Sequence, residues 1–258
     1  MLKKLLLFFT IVFSTLTFSN DKVIKIAAAG YPMNEIVKIA ADDLKKQGYD
    51  VQIKLLTDYV TANIGLNAKD FDANFHQHEP FMQVFNQKNN GTLVKVKPIY
   101  DVKVGFYSKN IKNKKSIPDG ARIAIPSDPT NQDRALRILE SEGLIKLGKS
   151  NGLNSISYIV ENKKGLKIVP VGIPSLVQAY QEYDLAFNWP SHILKIGVKV
   201  KDALFLEKGS NARFAVMLAA REDNKNSQKI KDLTKAMTSE KVRQFLLKNY
   251  KEEGYPVF

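Results

Sequence analysis

Two stretches of this chain place polar side chains where a predicted strand ends and a predicted helix begins. The first is 72–81, with the sequence DANFHQHEPF, and the second is 126–134, with the sequence PSDPTNQDR. In an α/β fold such junctions lie at the mouth of the sheet, where helix N-termini offer free N–H groups and a partial positive charge to small anions. Two junctions of this kind that face each other would form a ligand clamp.

Hydrophobic periodicity predicts that strands and helices alternate along the chain. The predicted strands are 23–28, 49–56, 71–75, 102–108, 121–126, 166–171, 184–189 and 214–220. The predicted helices are one that opens at Pro32 and stops at Gly48, then 60–68, 80–88, 131–142, 175–182, 227–237 and 240–250. This order indicates an α/β fold with two similar lobes. A short internal echo supports the two lobes, since Asp72 and Asp184 begin corresponding strands that carry Asn74 and Asn188.

The two lobes are expected to be joined by strands, because no low-complexity linker separates the halves. We expect residues 20–102 with 212–258 to form lobe 1 and residues 103–211 to form lobe 2. Residues 1–19 have the three parts of a secretory leader: Lys3 and Lys4, an apolar run over 5–13, and small residues fitting a cleavage site at 17–19. The sequence therefore predicts an exported protein, periplasmic or otherwise extracytoplasmic; the alternative is a leader that stays attached as a membrane anchor.

Composition excludes several function classes. With 0 cysteines, the chain has no disulfide, no thiolate metal site and no thiol for lipid attachment. The net charge is +13, or +11 without Lys3 and Lys4, but the lysines are dispersed and no nucleic-acid motif is present, so we expect no nucleic-acid partner. A Gly-x-Ser-x-Gly elbow and a glycine-rich phosphate loop are both absent, so an enzyme is not predicted. No cofactor is implied.

Arg134 is the first candidate for ligand binding. It sits one turn into a predicted helix that follows capping and turn residues, Asp128 to Asn131. A guanidinium beside free N–H groups suits a carboxylate, which it can bind through two parallel hydrogen bonds. The alternative is a surface arginine paired with Asp133 or Glu140.

The three histidines of the chain all fall near the predicted strand ends. His76 and His78 are two residues apart on an extended segment and therefore share a face, and His192 follows the matching strand of the other lobe. They could bind a metal ion, or they could be polar walls and hydrogen-bonding partners of a ligand.

Aromatic and amide side chains at the strand ends are further candidates. Tyr59, Phe75, Phe81, Phe187 and Trp189 could line an apolar pocket or belong to the core. The two asparagines that end corresponding strands, Asn74 and Asn188, are better suited to reading a ligand amine or amide.

With these motifs in place, the chain resembles the methionine-binding lipoprotein family (NlpA/MetQ type) over essentially all of the predicted mature length. The motifs that carry the resemblance are TDYV at 57–60, the segment 70–80, GFYS at 105–108, IAIPSDPTN at 123–131 with Arg134, GLI at 143–145 and LKIV at 166–169. The resemblance implies a two-lobed, periplasmic-binding-protein architecture of type II with the ligand in a cleft between the lobes. It also implies capture of methionine for an ABC importer in the inner membrane.

The resemblance further implies roles for individual residues. Arg134 would hold the ligand carboxylate, Tyr59, His78 and Phe81 would enclose its side chain, and Asn188 would contact its polar end. The chain departs from the family at His76, which replaces an aromatic residue, at Lys103, which replaces a proline, and at Val216, which replaces an amine-binding asparagine. It also lacks the lipidated cysteine.

The leading hypothesis is thus an exported, non-enzymatic, monomeric solute-binding protein for methionine or a related small amino acid or anion. The residues expected to bind the ligand are Arg134, Tyr59, Asn74, His76, His78, Phe81, Asn131, Asn188 and Lys103. The alternatives are a zinc-type binding protein that uses His76, His78 and His192, and a basic surface interaction protein.

Overall fold

The alternation of strands and helices is present along the chain, and it builds two large sheets, beside one small sheet of two strands. The structure is a computed structural model and describes residues 22–56, 58–209 and 212–258. The predicted leader, 1–19, lies outside the described residues. The strands are β1 Val23–Ala28, β2 Asp50–Leu55, β3 Ala73–Gln77, β4 Leu93–Val102, β5 Gly105–Tyr107, β6 Arg122–Pro126, β7 Lys146–Leu147, β8 Ile159–Glu161, β9 Lys167–Val171, β10 Leu185–Asn188, β11 Ala203–Leu206, β12 Val216–Arg221 and β13 Gly254–Pro256. The helices are α1 Met33–Lys45, α2 Tyr59–Asn67, α3 Glu79–Asn89, α4 Pro129–Ser141, α5 Leu176–Glu182, α6 Pro190–Ile193, α7 Gln228–Met237 and α8 Glu240–Asn249.

The first sheet has six strands in the order β13-β4-β12-β3-β1-β2, and the second has five in the order β11-β5-β10-β6-β9. We call the first sheet with its helices lobe 1 and the second with its helices lobe 2. Each sheet has a parallel part, with β1 beside β2 and β3 in lobe 1 and β6 beside β9 and β10 in lobe 2, while the other neighbouring strands run antiparallel. Parallel neighbours need crossover connections, and the intervening helices supply them. The carboxyl ends of these strands open toward the space between the lobes.

The strand predicted at 102–108 is in fact two strands in two different sheets. β4 ends at Val102 in lobe 1 and β5 begins at Gly105 in lobe 2, so the chain crosses between the lobes over the two residues that separate them. Gly105 is required at the crossing, since a Cβ there would lie 2.6 Å from the carbonyl oxygen of Phe205 on the paired strand β11. The hydrophobic pattern continues through the crossing, so it gives no signal of the break.

Except for its last residue, strand β4 has no counterpart among the predicted elements. Its interior Pro98 argues against a strand, because proline cannot donate to the ladder. The structure accommodates Pro98 because β12 pairs with it on one side, while β13 reaches only Tyr100 to Val102 on the other. Pro98 therefore occupies an edge position within an otherwise central strand. The short elements β7, β8, β11, β13 and α6 were not predicted either, as each has four residues or fewer.

The internal echo noted in the sequence has a structural basis in the residues that directly precede β3 and β10. Asp72 Oδ2 accepts a hydrogen bond from the Lys25 backbone N–H at 2.8 Å, and Asp184 Oδ2 accepts one from the Arg122 N–H at 2.7 Å. Each aspartate thus joins the start of a strand to its parallel neighbour. The repetition indicates that the two lobes share one local design.

Along the described parts of the chain, no helix combines the length and the apolar character that crossing a bilayer would need.

Candidate ligand-binding site

A cavity of about 570 Å³ lies between the lobes. Lobe 1 contributes Tyr31, Tyr59 and Phe81 to its wall, and lobe 2 contributes Asp128 and His192 among others. A second, smaller pocket of about 50 Å³ lies between the lobes near the carboxyl ends of the strands and shares several of these residues. We call the larger space the outer cavity and the smaller one the inner pocket.

Arg134 lines the inner pocket and is almost completely buried, with 1% of its surface exposed. Its Nε lies 3.1 Å from both carboxylate oxygens of Glu207, and its Nη2 donates to Glu207 and, at 3.0 Å, to the carbonyl oxygen of Val102. Its Cζ lies 4.6 Å from the ring centroid of Phe214, a cation–π contact. Nη1 has no hydrogen-bond partner among the residues the structure describes. The alternative pairing with Asp133 or Glu140 is therefore wrong; Asp133 instead accepts from Arg137.

His78 connects the two lobes. As the N-cap of α3 it accepts the Phe81 N–H on Nδ1 at 3.2 Å, so its proton is on Nε2, which lies 3.0 Å from Asn131 Oδ1 on α4 of lobe 2. Asn131 in turn donates to both oxygens of Asp128, the N-cap of α4, at 3.1 Å. The helix-capping signals in the two junctions therefore place both helix N-termini against the same inter-lobe contact.

A second contact between the lobes joins Tyr59 and His192. The Tyr59 hydroxyl lies 3.5 Å from His192 Nε2, and the ring of Tyr59 stacks on His76 with centroids 5.4 Å apart. Phe81 meets His76 and His78 edge-on, and Trp189 packs against His192. Tyr59, Phe81 and Trp189 line the inner pocket, whereas Phe75 and Phe187 are fully buried in the core.

His76 is 7% exposed and lines the inner pocket from near the carboxyl end of β3. Its Nε2 lies 3.3 Å from Asn63 Oδ1, which also accepts from the amide groups of Asn74 and Gln77. A carbonyl oxygen can only accept, so this network assigns the proton to Nε2. Nδ1 is then left with a lone pair, and no partner for it is found in the described chain.

Burial keeps the three histidines neutral. Burial lowers the pKa of His76 to about 3, against a smaller opposing effect of Asp58. Burial and then the charge of Arg134 lower the pKa of His78 to about 3, and burial lowers that of His192 to about 4. A neutral imidazole costs less to bury than a charged one.

The histidines do not form a metal-binding group. No three His, Cys, Asp or Glu side chains in the described ranges lie close enough together to hold a metal ion. Both nitrogens of His78 already have protein partners. This arrangement gives no support to the zinc-type alternative.

Three residues expected at the site lie away from both cavities. Asn74 Nδ2 donates to Ala62 O at 3.3 Å, and Asn188 Nδ2 donates to Leu176 O at 3.0 Å, so each ties its strand to the preceding helix. Both are fully buried, although Asn188 Oδ1 has no partner in the described chain. Lys103 directs its ammonium to the carbonyl oxygen of Lys251 at 3.4 Å.

Sequence reasoning missed several residues of the site. Glu207 and Phe214, which hold Arg134, come from the segment that returns the chain to lobe 1. Met33, Ile173 and Ser191 line both cavities. Ser191 follows Trp189-Pro190 at a strand-to-helix junction, so the same junction rule could have found it; no sequence signal singles out Glu207.

The two lobes and the buried arginine in the pocket between them place this α/β protein in the class of two-lobed substrate-binding proteins. The NlpA lipoprotein family matches residues 24–258, and this chain belongs to that family. The family is one of solute-binding proteins and not of enzymes. The resemblance seen in the sequence is therefore confirmed.

Individual relatives are similar over most of their length. The probable D-methionine-binding lipoprotein MetQ of Haemophilus influenzae is 34% identical over 232 residues, which cover 89% of this chain and 85% of that protein. The methionine-binding lipoprotein MetQ of Bacillus subtilis is 34% identical over 246 residues, covering 93% and 89%. A nutrient-binding protein from Burkholderia cenocepacia, solved bound to methionine, is 31% identical with a TM-score of 0.86 and covers 91% of this chain and 100% of its own.

Proposed function

We propose that this protein captures methionine or a related small amino acid or anion between its lobes and delivers it, chemically unchanged, to an ABC importer. The observation that carries the proposal is the buried guanidinium of Arg134, which lines the inner pocket and keeps one nitrogen unpaired. A buried donor without a partner is costly, and a ligand carboxylate would satisfy it. The methionine-binding relatives support the same ligand class.

The sizes of the two spaces suggest how such a ligand would be divided between them. A volume of about 50 Å³ holds on the order of three to five water-sized groups, which matches the head group of an amino acid. The outer cavity is much larger and has apolar walls that include Met33, Phe81 and Ile173. We therefore place the carboxylate at Arg134 and the ligand side chain toward the outer cavity.

The remaining residues take supporting roles in this proposal. Tyr59, His78 and Phe81 enclose the ligand, and His78 with Asn131 joins the lobes around it. Asn188 keeps an unpaired Oδ1, and we propose that this oxygen contacts the polar end of the ligand. Asn74 and Lys103 have other partners, which favours structural roles for both.

Isothermal titration of the refolded protein tests the proposal, because refolding from denaturant removes any ligand retained during purification. The panel contains methionine of both chiralities, other amino acids and small carboxylates. We expect saturable binding of at least one α-amino acid. If no compound binds to protein whose circular dichroism matches the native fold, the proposal fails.

We further propose that the protein acts as a monomer outside the cytoplasmic membrane, with lobes formed by 20–102 with 212–258 and by 103–211. The division of the strands between the two sheets supports these boundaries. Light scattering of the purified protein measures its mass. Loss of labelled-ligand uptake in a deletion strain, restored by the wild-type gene, would link it to import.

A further inference from the structure

Few of the buried polar side-chain atoms around the inner pocket lack a hydrogen-bond partner. Of its lining residues in the described chain, Arg134 and His76 each have a buried side-chain nitrogen without a hydrogen-bond partner: Nη1, a donor, and Nδ1, an acceptor. The other two imidazoles are engaged, His78 with Phe81 and Asn131 and His192 with Tyr59. Among the fully buried side-chain atoms of this lining, one donor and one acceptor therefore lack a partner.

The pocket also lacks an anion. No aspartate or glutamate is found among its lining residues in the described ranges. Glu207 pairs with Arg134 and neutralises it, but is not part of the lining. Val216, which is 7% exposed, lines the pocket and offers only methyl groups.

We propose that His76 Nδ1 recognises the hydrogen-bond donor next to the ligand carboxylate, so that the pocket accepts α-amino and α-hydroxy acids alike and rejects carboxylates without a donor there. This inference rests on the proposed function and makes His76 its specificity-determining residue. The carboxylate would meet Arg134 Nη1, and the adjacent N–H or O–H would meet the imidazole lone pair.

The chemistry of the two donor groups explains the expected tolerance. An ammonium group gains over a hydroxyl when it meets a carboxylate or several acceptors, because it carries a full charge and three N–H groups. A single neutral imidazole gives little of this advantage. A ligand without any donor, by contrast, would leave Nδ1 buried and unpaired, which costs affinity.

Titration with three ligands that share one side chain tests the inference. The ligands are methionine, its α-hydroxy analogue and its desamino analogue, which has hydrogen at the α position. We expect methionine and the hydroxy analogue to bind within about tenfold of each other, and the desamino analogue to bind at least about tenfold more weakly.

Three variants assign the effect to His76. His76→Phe keeps an aromatic ring but removes the acceptor. In this variant the desamino analogue should bind no more than about threefold more weakly than methionine. His76→Asn keeps an acceptor near the position of Nδ1, so the desamino analogue should still bind more weakly than methionine, as it does to the wild type. Val216→Asn adds a second acceptor to the same pocket and should favour methionine over the hydroxy analogue by a further factor of about ten. Because this variant leaves His76 intact, it tests the effect of the number of acceptors even if His76→Phe does not fold.

The outcomes separate this inference from the proposed function. An unchanged desamino penalty in folded His76→Phe overturns the role of His76, while binding of methionine still supports the proposed function. A preference of more than about a hundredfold for methionine over the hydroxy analogue in the wild type overturns the predicted tolerance. If none of the three ligands binds, both fail.

Discussion

The carboxylate of Glu207 accepts hydrogen bonds from Nε and Nη2 of Arg134, and Nη1 is left over. Glu207 belongs to the return crossing and Arg134 to α4, so the pair forms only when lobe 2 is folded. The carboxylate fixes the plane of the guanidinium before any ligand arrives, and such pre-orientation reduces the entropy lost on binding.

Replacing Arg134 with lysine should weaken ligand binding by about ten- to a hundredfold. Lysine has a flexible point charge and cannot hold Glu207 and a ligand through one planar group. Titration against the best wild-type ligand measures the loss. Arg137→Lys, one turn further along the same helix and half exposed, is the matched control and should bind like the wild type. Equal affinities of Arg134→Lys and the wild type would contradict the assigned role.

Glu207→Gln should lower the free energy of unfolding by about 2–3 kcal/mol, because it leaves the Arg134 charge buried without a counter-ion. Urea denaturation of ligand-free protein measures the change. Glu222→Gln removes an exposed carboxylate paired with Lys225 and should cost less than about 1 kcal/mol. Similar losses of unfolding free energy in the two variants would mean that the buried Arg134–Glu207 pair stabilises the protein no more than the exposed pair does.

Asn131→Ala should weaken ligand binding by about three- to tenfold without unfolding the protein. It removes the acceptor that joins the lobes through His78, and one neutral hydrogen bond contributes on the order of 1 kcal/mol. Titration gives the affinity, and small-angle scattering should show a larger radius for ligand-free Asn131→Ala. Gln132→Ala, on the next residue of α4 and outside both cavity linings, is the control. An unchanged affinity in Asn131→Ala would show that this contact does not assist closure.

Stability should fall as the pH decreases from 7 to 5. The pKa values of His76 and His78 are lowered to about 3 and that of His192 to about 4, whereas the unfolded chain titrates near 6.5. Between these values only the unfolded state takes up protons, so each histidine removes on the order of 1–2 kcal/mol over this range. Their stabilising contribution is complete above the unfolded pKa and declines below it.

Urea midpoints at pH 7 and pH 5 measure this change, and the range lies above the usual titration of carboxylates. His192→Phe should show a smaller difference between the two midpoints than the wild type. Identical wild-type midpoints at both pH values would mean that the imidazoles take up protons in the folded protein as readily as in the unfolded chain.

Capping chemistry made much of the fold predictable. The segment from Asp128 to Asn131 was expected to cap the helix that carries Arg134, and Asp128 Oδ1 accepts the Asn131 N–H at 3.0 Å. The start of β1 and both ends of α7 also agree closely with the hydrophobic pattern. These features depend on neighbours within a few residues, which a sequence displays directly.

Features that depend on distant partners could not be predicted. Glu207 is 73 positions from Arg134, and nothing in its local sequence marks it as the counter-ion. Asn74 was expected to bind the ligand because it is polar at the end of a strand. Its amide is instead tied to Ala62 of α2, and the structure leaves its predicted ligand role without a contact to either cavity.

Arg134 also donates to the Val102 carbonyl at the first crossing and contacts Phe214 just before β12, at the second. A group near the hinge moves little when the lobes rotate, whereas the walls of the outer cavity move much further. The ligand carboxylate would therefore meet Arg134 at the same place in the open and the closed form. The head group would bind first, and closure of the lobes would enclose the side chain afterwards.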